Sequence, residues 1–263
     1  MIKIKPFLKT MQIECTAPMD GGILYFLGGY FIRLLRMFLL LGVWRSIFVY
    51  STEFSDEQVK SVLQYTLLAS AFYQQMDVQT TASTTFWEGT VSSRYLRPVG
   101  VFGQYIAETV GRWLPGILFF TVPVLVLSPV FGMDIRPQSP VQPVLFVGSL
   151  LLGVIAGFAM DFIFTGFMVL LGNMHYAATQ IRKAVTVLLS GALIPLYIMP
   201  WGLGYVLEWL PFASMASAPL QIYTGTGDPV RLMALQAIWG IILWVCAAWI
   251  WQKNRQRLVI FGG

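Results

Sequence analysis

Few residues of this 263-residue chain have side chains suited to catalysis or metal binding. His175 is the only histidine, and Cys15 and Cys246 are the only cysteines. Zinc sites and Ser-His-Asp triads need several converging partners, which these three residues do not provide. The phosphate-binding pattern G-x-x-x-x-G-K-[ST] is also missing, because no lysine follows a glycine. The sequence therefore predicts a protein that is not an enzyme and that holds no metal or cofactor of its own.

Four charged residues lie within or beside long apolar runs and are candidates for a role inside a membrane. Arg45 lies in the first run, and Asp161 lies in the middle of a later one. Glu108 and Arg112 are four residues apart, in the order that favours a helical ion pair. Because a charge inside a membrane is costly, such residues pair, reach an interface or serve a function. We predict pairing or contact with an interface, and the alternative is a polar substrate path or proton coupling at Asp161.

The polar segment WEGTVSSRYLRPVG, residues 87–100, separates two apolar runs. Pro98 disfavours helical geometry at the residue before it and so ends any helix in this segment. The segment is typical of a short amphipathic helix that docks in a groove of another protein, and a loop at the membrane surface is the alternative. Residues spaced three or four apart would share one face of that helix: Trp87, Val91, Arg94 and Tyr95.

The elements that position these residues follow from the composition. Hydrophobic residues make up 57% of the chain, charged residues only 11%, and the mean hydropathy is +0.69. A soluble domain carries about 25% charged residues, so this chain lacks the polar surface that water requires. Apolar runs of about 20 residues match the thickness of the hydrocarbon core of a bilayer. The sequence predicts an all-α, polytopic membrane protein with a single domain over residues 1–263.

Six apolar segments are predicted to cross the membrane. Pro115, Pro123 and Pro129 are expected to kink the third of them. Residues 201–230 are too apolar for an ordinary loop and too rich in Gly and Pro to span. We therefore expect short interfacial or re-entrant helices there, before the last span. The approximate bounds of the six segments are 30–50, 60–77, 104–130, 143–172, 184–200 and 231–251.

The distribution of basic residues predicts the orientation. With the N-terminus inside, twelve lysines and arginines lie on the cytoplasmic side and only Lys60, Arg136 and Arg231 lie outside. This bias predicts that both termini and the connection between spans two and three are cytoplasmic. Residues 51–59 and 131–141 are then external. The net charge of +5 follows from this topology, so no nucleic-acid partner is predicted.

The stretch EGTVSSRYLRPVG (88–100) resembles the cytoplasmic signature G-x-(L/I)-x-x-x-L-x-R-P of a family of six-span ABC-type-2 permeases. Ser92–Ser93 departs from that pattern, since the family often has an acidic or apolar residue there. The resemblance covers essentially the whole chain. Three further features agree with the family in their order along the chain: LGVWRSIF (41–48), LPFASMASAPLQIYTG (210–225) and a basic tail ending in Gly262–Gly263.

The resemblance implies a transmembrane subunit of an ATP-binding-cassette transporter, usually an exporter, in the bacterial plasma (inner) membrane. Such permeases dimerise, as homodimers or with a sister permease, and bind a separate ATPase subunit that holds ATP and Mg²⁺. A cytoplasmic coupling helix receives the motion of the ATPase, and spans one, two and five line the substrate route. The residues that match the coupling helix are Glu88, Arg94, Tyr95, Leu96 and Arg97.

Within that helix, we expect Tyr95 and Leu96 to supply apolar contacts and Arg94 and Arg97 to face acidic groups on the ATPase. Two other functions stay open. A proton-coupled secondary transporter would use Asp161 and work without an ATPase. A non-transporting membrane protein, such as an immunity or scaffold factor, would use the polar segment only to bind a partner. Membrane lipids are expected partners in every case.

Overall fold

The computed structural model describes residues 4–50, 54–170 and 175–261, without the side chains of 169, 170, 175 and 255–261. Within these ranges the chain forms helices and turns, and no strand is found there. The all-helical, multi-pass membrane fold expected from the composition is confirmed. Four helical segments are long and apolar enough to cross a membrane: Ile23–Tyr50, Val101–Phe131, Val141–Met168 and Pro229–Asn254.

The α-helices of the described residues are α1 (Ile4–Glu14), α2 (Ile23–Tyr50), α3 (Asp56–Ala71), α4 (Tyr73–Met76), α5 (Ala82–Trp87), α6 (Val91–Arg94), α7 (Val101–Gly116), α8 (Val122–Leu127), α9 (Val141–Leu170), α10 (His175–Leu189), α11 (Leu203–Glu208), α12 (Ser217–Thr224) and α13 (Pro229–Phe261). Short 3-10 turns occur at Ala17–Met19, Ser128–Phe131, Leu196–Ile198 and Pro200–Gly202, and a π-helical turn at Ile117–Thr121.

The second predicted span, residues 60–77, is divided between α3 and α4, which are separated at Phe72. A capping box at Ser55 and Gln58 starts α3, because each side chain bonds a backbone N–H that the first helical turn leaves unpaired. Most of α3 from Val62 onward is buried. This part of the chain is therefore an interior helix of the bundle, wrapped by the longer apolar helices.

The fifth predicted span, residues 184–200, is not one helix. α10 ends before residues 190–195, which are irregular and include Gly191 at φ +74°. Pro195 and Pro200 explain part of the break, because proline has no backbone N–H and cannot continue a helix. The prediction of a continuous helix over this range is wrong.

The third span contains the interruptions that its prolines led us to expect. The π-helical turn lies between Pro115 and Pro123, and the 3-10 turn that ends the span contains Pro129. π-helical turns are rare and often occur at functional positions. Here Thr121 Oγ1 donates a hydrogen bond of 2.7 Å to the carbonyl of Ala71, which ties the π turn to the end of α3.

The long helices α9 and α13 pack against each other along much of their length. The residue numbers of the bonded partners rise together, so the two helices are parallel and their C-terminal ends lie at the same end of the bundle. Three sets of hydrogen bonds define this register: Ser149 with Gln236, Trp244 Nε1 with the carbonyl of Ile155, and Asn254 Nδ2 with the carbonyl of Gly166.

The two ends of the bundle are defined by these contacts. We call the end that holds residues 77–100 and the C-terminal ends of α9 and α13 the loop end. The opposite end holds Lys60 and Asp134, whose Nζ and Oδ2 atoms are 2.8 Å apart. The hydrogen bond from Lys60 lowers the pKa of the Asp134 carboxyl. Arg45 also lies at the opposite end, where its Nη2 donates to the carbonyl of Phe131 at 3.1 Å.

Residues 201–230 contain the two short helices that the sequence predicted, α11 and α12. All of α12 except Tyr223 is buried. Its first residue, Ser217, donates its backbone N–H to the carbonyl of Ser190 inside the bundle at 3.0 Å. The Tyr223 hydroxyl donates to the carbonyl of Ile135 at the opposite end, at 2.7 Å. α12 therefore runs from the interior back towards the opposite end, which is the geometry of a re-entrant helix.

Candidate functional site

The polar segment 87–100 does not form one helix. α5 ends at Trp87 and α6 begins at Val91. Gly89, between them, has φ +70°, in the left-handed region that glycine adopts at little cost. The expectation of a single amphipathic helix is therefore wrong, because a left-handed residue interrupts helical hydrogen bonding. The docking role of the segment stays a prediction.

The predicted docking residues differ in their exposure. Leu96 is 88% exposed, and Glu88 and Arg97 are exposed as well. Tyr95 is 41% exposed. Arg94, in contrast, is only 9% exposed. The outward surface of the segment therefore consists of Tyr95, Leu96 and Arg97 with Glu88 nearby, and Arg94 points into the protein.

Arg94 binds a carboxylate of its own chain. Its Nη1 lies 2.6 Å from Glu108 Oε1 on α7, and its guanidinium carbon lies 4.3 Å from the centre of the Tyr105 ring. Gln104 donates to the Arg94 carbonyl at 2.8 Å and so fixes the backbone there. The expectation that Arg94 faces a partner protein is wrong, because a buried carboxylate on the adjacent helix already satisfies it. Arg97 lies at the edge of the same site, 3.9 Å from Glu108.

Glu108 does not pair with Arg112, contrary to the expectation from their spacing. Arg112 Nε instead contacts Glu14 Oε2 on α1 at 2.8 Å. α1 approaches α7 closely at Gly111, where a Cβ atom would lie 2.4 Å from the carbonyl oxygen of Met11. The glycine thus admits a neighbouring helix whose carboxylate competes successfully with the local pair.

Two successive threonines bind the chain just before α5 to two long helices. Thr80 donates both its backbone N–H, at 3.0 Å, and its hydroxyl to Asp161 Oδ2 on α9. Thr81 donates its hydroxyl to Glu108 Oε2 on α7 at 2.9 Å. Because adjacent residues bind carboxylates of different helices, the start of α5 is fixed to both α7 and α9.

Asp161 forms a buried ion pair with Arg182 on α10, with 2.8 Å between Oδ1 and Nη1. Both side chains are nearly inaccessible, at 5% and 6% exposure. Arg182 also donates to the carbonyl of Val78, and its Nη2 lies 3.8 Å from Asp77 Oδ1. One guanidinium therefore links α9 and α10 to the chain that precedes α5.

Asp77 extends this contact set towards α4. Its Oδ2 accepts hydrogen bonds from the Tyr73 hydroxyl at 3.1 Å and from Gln79 Nε2 at 2.7 Å. Its Oδ1 accepts no hydrogen bond from the described residues and is balanced by the charge of Arg182. We call the following residues the anchor network: Asp77, Thr80, Thr81, Arg94, Glu108, Asp161 and Arg182.

Asp161 lies past the midpoint of α9, on its loop-end side. It comes 20 residues after Val141 in a helix of 30 residues. At 1.5 Å per residue the helix is about 45 Å long, which exceeds the roughly 30 Å of a hydrocarbon core. The depth of Asp161 within a membrane therefore stays a prediction.

An aromatic cluster packs beside the anchor network. Phe102 on α7 lies 4.6 Å from Phe162 on α9 and 4.7 Å from Trp251 on α13, measured between ring centres. Trp251 Nε1 in turn contacts the Tyr95 hydroxyl at 3.2 Å. Tyr95 thus joins the exposed surface of the segment to α13, as Arg94 joins it to α7.

A sequence profile of the family described as ABC-2 family transporter protein matches residues 31–262 of this chain. The chain belongs to the ABC-2 transporter family. The match spans all four long apolar helices except the start of α2, together with the polar segment and the anchor network. Among curated protein sequences, none matches the chain. As an ABC-2 family member, it is a permease component of an ABC transporter, and such permeases generally work with an ATPase subunit.

Sequence reasoning missed four residues of the anchor network in this ABC-2 permease: Asp77, Thr80, Thr81 and Arg182. Arg182 enters the sequence analysis only as one of the twelve basic residues predicted on the cytoplasmic side. A signal was nevertheless present, because an acid at the end of one span and a base in a connection predicted on the same side are natural partners. The side chain of His175 lies outside the described part of the chain.

The ABC-2 permease also has a cleft, open to the surface, beside the anchor network. Its walls come from α2, the end of α3, α4, the end of α10 and the irregular segment that follows α10. These elements correspond to predicted spans one, two and five. Tyr73 belongs to both sites, because its ring lines the cleft and its hydroxyl binds Asp77.

Proposed function

We propose that this chain is the transmembrane subunit of an ABC exporter and is driven by a separate ATPase subunit that docks at the loop end. The observation that carries the proposal is the position of Leu96 and Arg97. They are exposed on a short segment whose Arg94 is bound to Glu108 of α7, and the chain just before α5 is bonded to α9 and α10 through Thr80 and Asp77. A protein that pushes on this surface acts on α7 through an ion pair, and on α9 and α10 through the chain that leads into the segment.

The anchor network is suited to transmitting such a displacement. Charge-assisted hydrogen bonds are shorter and about twice as strong as neutral ones, so they hold the segment firmly to the helices. Movement of Arg94 carries Glu108 and α7 with it, and movement of Thr80 carries Asp161 and α9. In the proposed cycle, ATP-driven closure of the ATPase pair displaces the segment, and these bonds rearrange the spans around the cleft.

Proton coupling through Asp161 is the less favoured alternative. A proton carrier must change its charge during the cycle, whereas Asp161 is bound by Arg182 and by two donors of Thr80. A cycle of proton uptake and release would have to disrupt these contacts, which hold α9 to α10 and to the chain before α5. This arrangement supports a structural and transmitting role for Asp161.

The substrate route and the dimer contact are both proposed to involve α2. This helix lines the cleft, and only 17% of the residues in its apolar 18-residue stretch are buried within the chain. Its many exposed apolar side chains suit contact with lipid and with a second permease, either an identical copy or a sister chain. The cleft between α2, α4 and α10 is the proposed start of the route.

The orientation is proposed from the basic residues, with the loop end in the cytoplasm of a bacterial cell and the opposite end outside. In a variant with Cys15 and Cys246 replaced by serine, we expect Ser93→Cys to react with a membrane-impermeant thiol reagent only after the cells are permeabilised. Glu57→Cys should react in intact cells. Both positions are exposed in the fold, so accessibility differs only by the side of the membrane. Strong labelling of Ser93→Cys in intact cells would reverse the topology.

The ATPase partnership is tested by purifying the chain with and without the ATPase encoded nearest to it. We expect the chain alone to show no ATP hydrolysis above background, because its sequence has no phosphate-binding loop. The complex should hydrolyse ATP. Hydrolysis by the chain alone, or failure of the two proteins to associate under any lipid condition, would contradict the proposal.

Variants of the exposed surface then locate the contact. Burial of a leucine side chain is worth about 1.5–3 kcal/mol, so Leu96→Asp should weaken co-purification of the ATPase by roughly tenfold or more. Arg97→Glu should weaken it as well, whereas Arg136→Glu, the same change on an exposed arginine of the opposite end, should not. Arg94→Glu is unsuitable, because it would place two carboxylates together in the interior. If the ATPase co-purified equally well with all three variants, the exposed surface of the segment would not be its docking site.

A further inference from the structure

The cleft combines cationic and apolar walls. Arg33 and Arg36 of α2 lie at one side with Gln74 of α4. Leu40, further along α2, and Leu193 continue the wall as apolar surface. Because residues three and four apart share one helix face, Arg33, Arg36 and Leu40 are arranged in sequence along the same side of α2. The cleft thus has a charged part and an apolar part in a defined order.

The two arginines are not neutralised within the described chain. Neither Arg33 nor Arg36 has a carboxylate oxygen within 4.0 Å among the described residues, whereas Arg94, Arg112 and Arg182 each have one. Their guanidinium groups instead lie over aromatic rings, a contact that leaves the positive charge uncompensated. The ring distances are 5.4 Å for Arg33 over Tyr30 and 4.9 Å for Arg36 over Tyr73.

Tyr73, whose ring lies under Arg36, binds a carboxylate that is already engaged. Asp77 accepts hydrogen bonds from Tyr73 and Gln79 and faces Arg182. The charge of Asp77 is therefore balanced by Arg182 and not by Arg33 or Arg36. Two guanidinium groups one helical turn apart repel each other, so an anion between them would be stabilised by both.

The arginines lie on the loop-end side of the apolar wall. α2 runs from Ile23 towards Arg45 at the opposite end, so Arg33 and Arg36 come before Leu40 in that direction. A headgroup bound by the arginines would therefore leave its acyl chain extending along Leu40 towards the opposite end.

We propose that the cleft binds a membrane lipid with an anionic, phosphate-bearing headgroup. The phosphate lies between Arg33 and Arg36, and an acyl chain runs along Leu40 and Leu193 towards the membrane interior. A free phosphate would leave those apolar walls exposed, and a neutral lipid would leave both guanidinium groups unpaired. That this lipid is the class of cargo rests on the proposed transport function, whereas its binding does not.

The binding is measured on the purified permease in a non-ionic detergent, without any ATPase. Fluorescence anisotropy of a labelled phosphatidylglycerol should report saturable binding, and labelled phosphatidylcholine should bind roughly tenfold or more weakly. Arg36→Gln changes an exposed side chain and should weaken phosphatidylglycerol binding without altering the thermal unfolding midpoint. Arg33→Gln with Arg36→Gln should reduce it to the level of phosphatidylcholine. Arg45→Gln, on the same helix but at the opposite end, is the matched control and should bind normally.

Three outcomes would overturn the inference. Equal affinity for the two lipids, or unchanged affinity in the double variant, would remove the arginines as a headgroup site. Competition by glycerol phosphate as effective as that by unlabelled phosphatidylglycerol would remove the acyl-chain contact.

If the lipid binds as expected but the permease neither associates with an ATPase nor moves lipid, the site stands and the transport proposal fails. If the ATPase associates and lipid does not bind, the lipid site fails and the transport proposal stands.

Discussion

Replacing Arg182 by glutamine is expected to destabilise the folded permease by about 3–5 kcal/mol, the usual effect of removing one partner of a buried ion pair. Arg182 is the only described cation that contacts both Asp77 and Asp161, and it also holds the carbonyl of Val78. Its removal leaves two carboxylates buried without a compensating charge. Denaturant unfolding in detergent, followed by tryptophan fluorescence, measures the loss.

The matched control for Arg182 is Lys60→Gln. Lys60 also forms an ion pair across the bundle, with Asp134, but both side chains are about half exposed. Exposed pairs contribute about 0–1 kcal/mol, so this variant should unfold close to the wild type. Adding Asp161→Asn to Arg182→Gln should restore part of the lost stability, because it removes one of the unpaired charges. If Arg182→Gln lowered the free energy of unfolding no more than Lys60→Gln, Arg182 would not be the residue that stabilises the anchor network.

The membrane fold could be predicted from the sequence because it follows from a gross property. Four helices carry apolar runs longer than a bilayer is thick, and no soluble fold could cover them. The division of α3 from α4 could not be predicted, since it depends on tertiary packing around Phe72. The break after α10 was signalled by Pro195, but the apolar composition of the region outweighed that signal in the prediction.

The ion pairs were the least predictable part of the site. The i to i+4 spacing of Glu108 and Arg112 is a local preference worth only about 0.2–0.5 kcal/mol, and tertiary partners replaced it for both residues. Local rules also could not show that α1 would lie against Gly111. Arg94 was correctly singled out within the polar segment, but sequence spacing does not reveal whether a cation faces inward or outward.

The inward contacts of Arg94 connect the segment to α7 and explain how its displacement reaches the spans. If Arg94 faced the ATPase, the segment would have no ion pair with α7. Because Arg94 binds Glu108 and Thr81 binds the same carboxylate, displacement of the segment acts on α7 at one point. The exposed Leu96 and Arg97 then receive the force, and the buried residues pass it on.

Glu108→Gln is accordingly expected to reduce transport by roughly tenfold or more while the ATPase still associates. The change leaves Arg94 buried without a counter-charge and weakens the bond from Thr81, but Leu96 and Arg97 stay exposed. Glu14→Gln is the control, since Glu14 also pairs with an arginine of α7 but that arginine is partly exposed. Transport of labelled lipid into inverted vesicles, together with co-purification of the ATPase, measures the two effects separately.

A paired substitution distinguishes transmission from simple stabilisation. Glu108→Gln combined with Arg94→Gln removes both charges, and neutralising a buried pair often restores stability. We therefore expect the double variant to unfold near the wild type and to bind the ATPase, yet to transport poorly, because the neutral side chains hold the segment to α7 less strongly. ATP hydrolysis should continue without proportionate lipid movement. Full recovery of transport in the double variant would show that the ion pair only stabilises the fold.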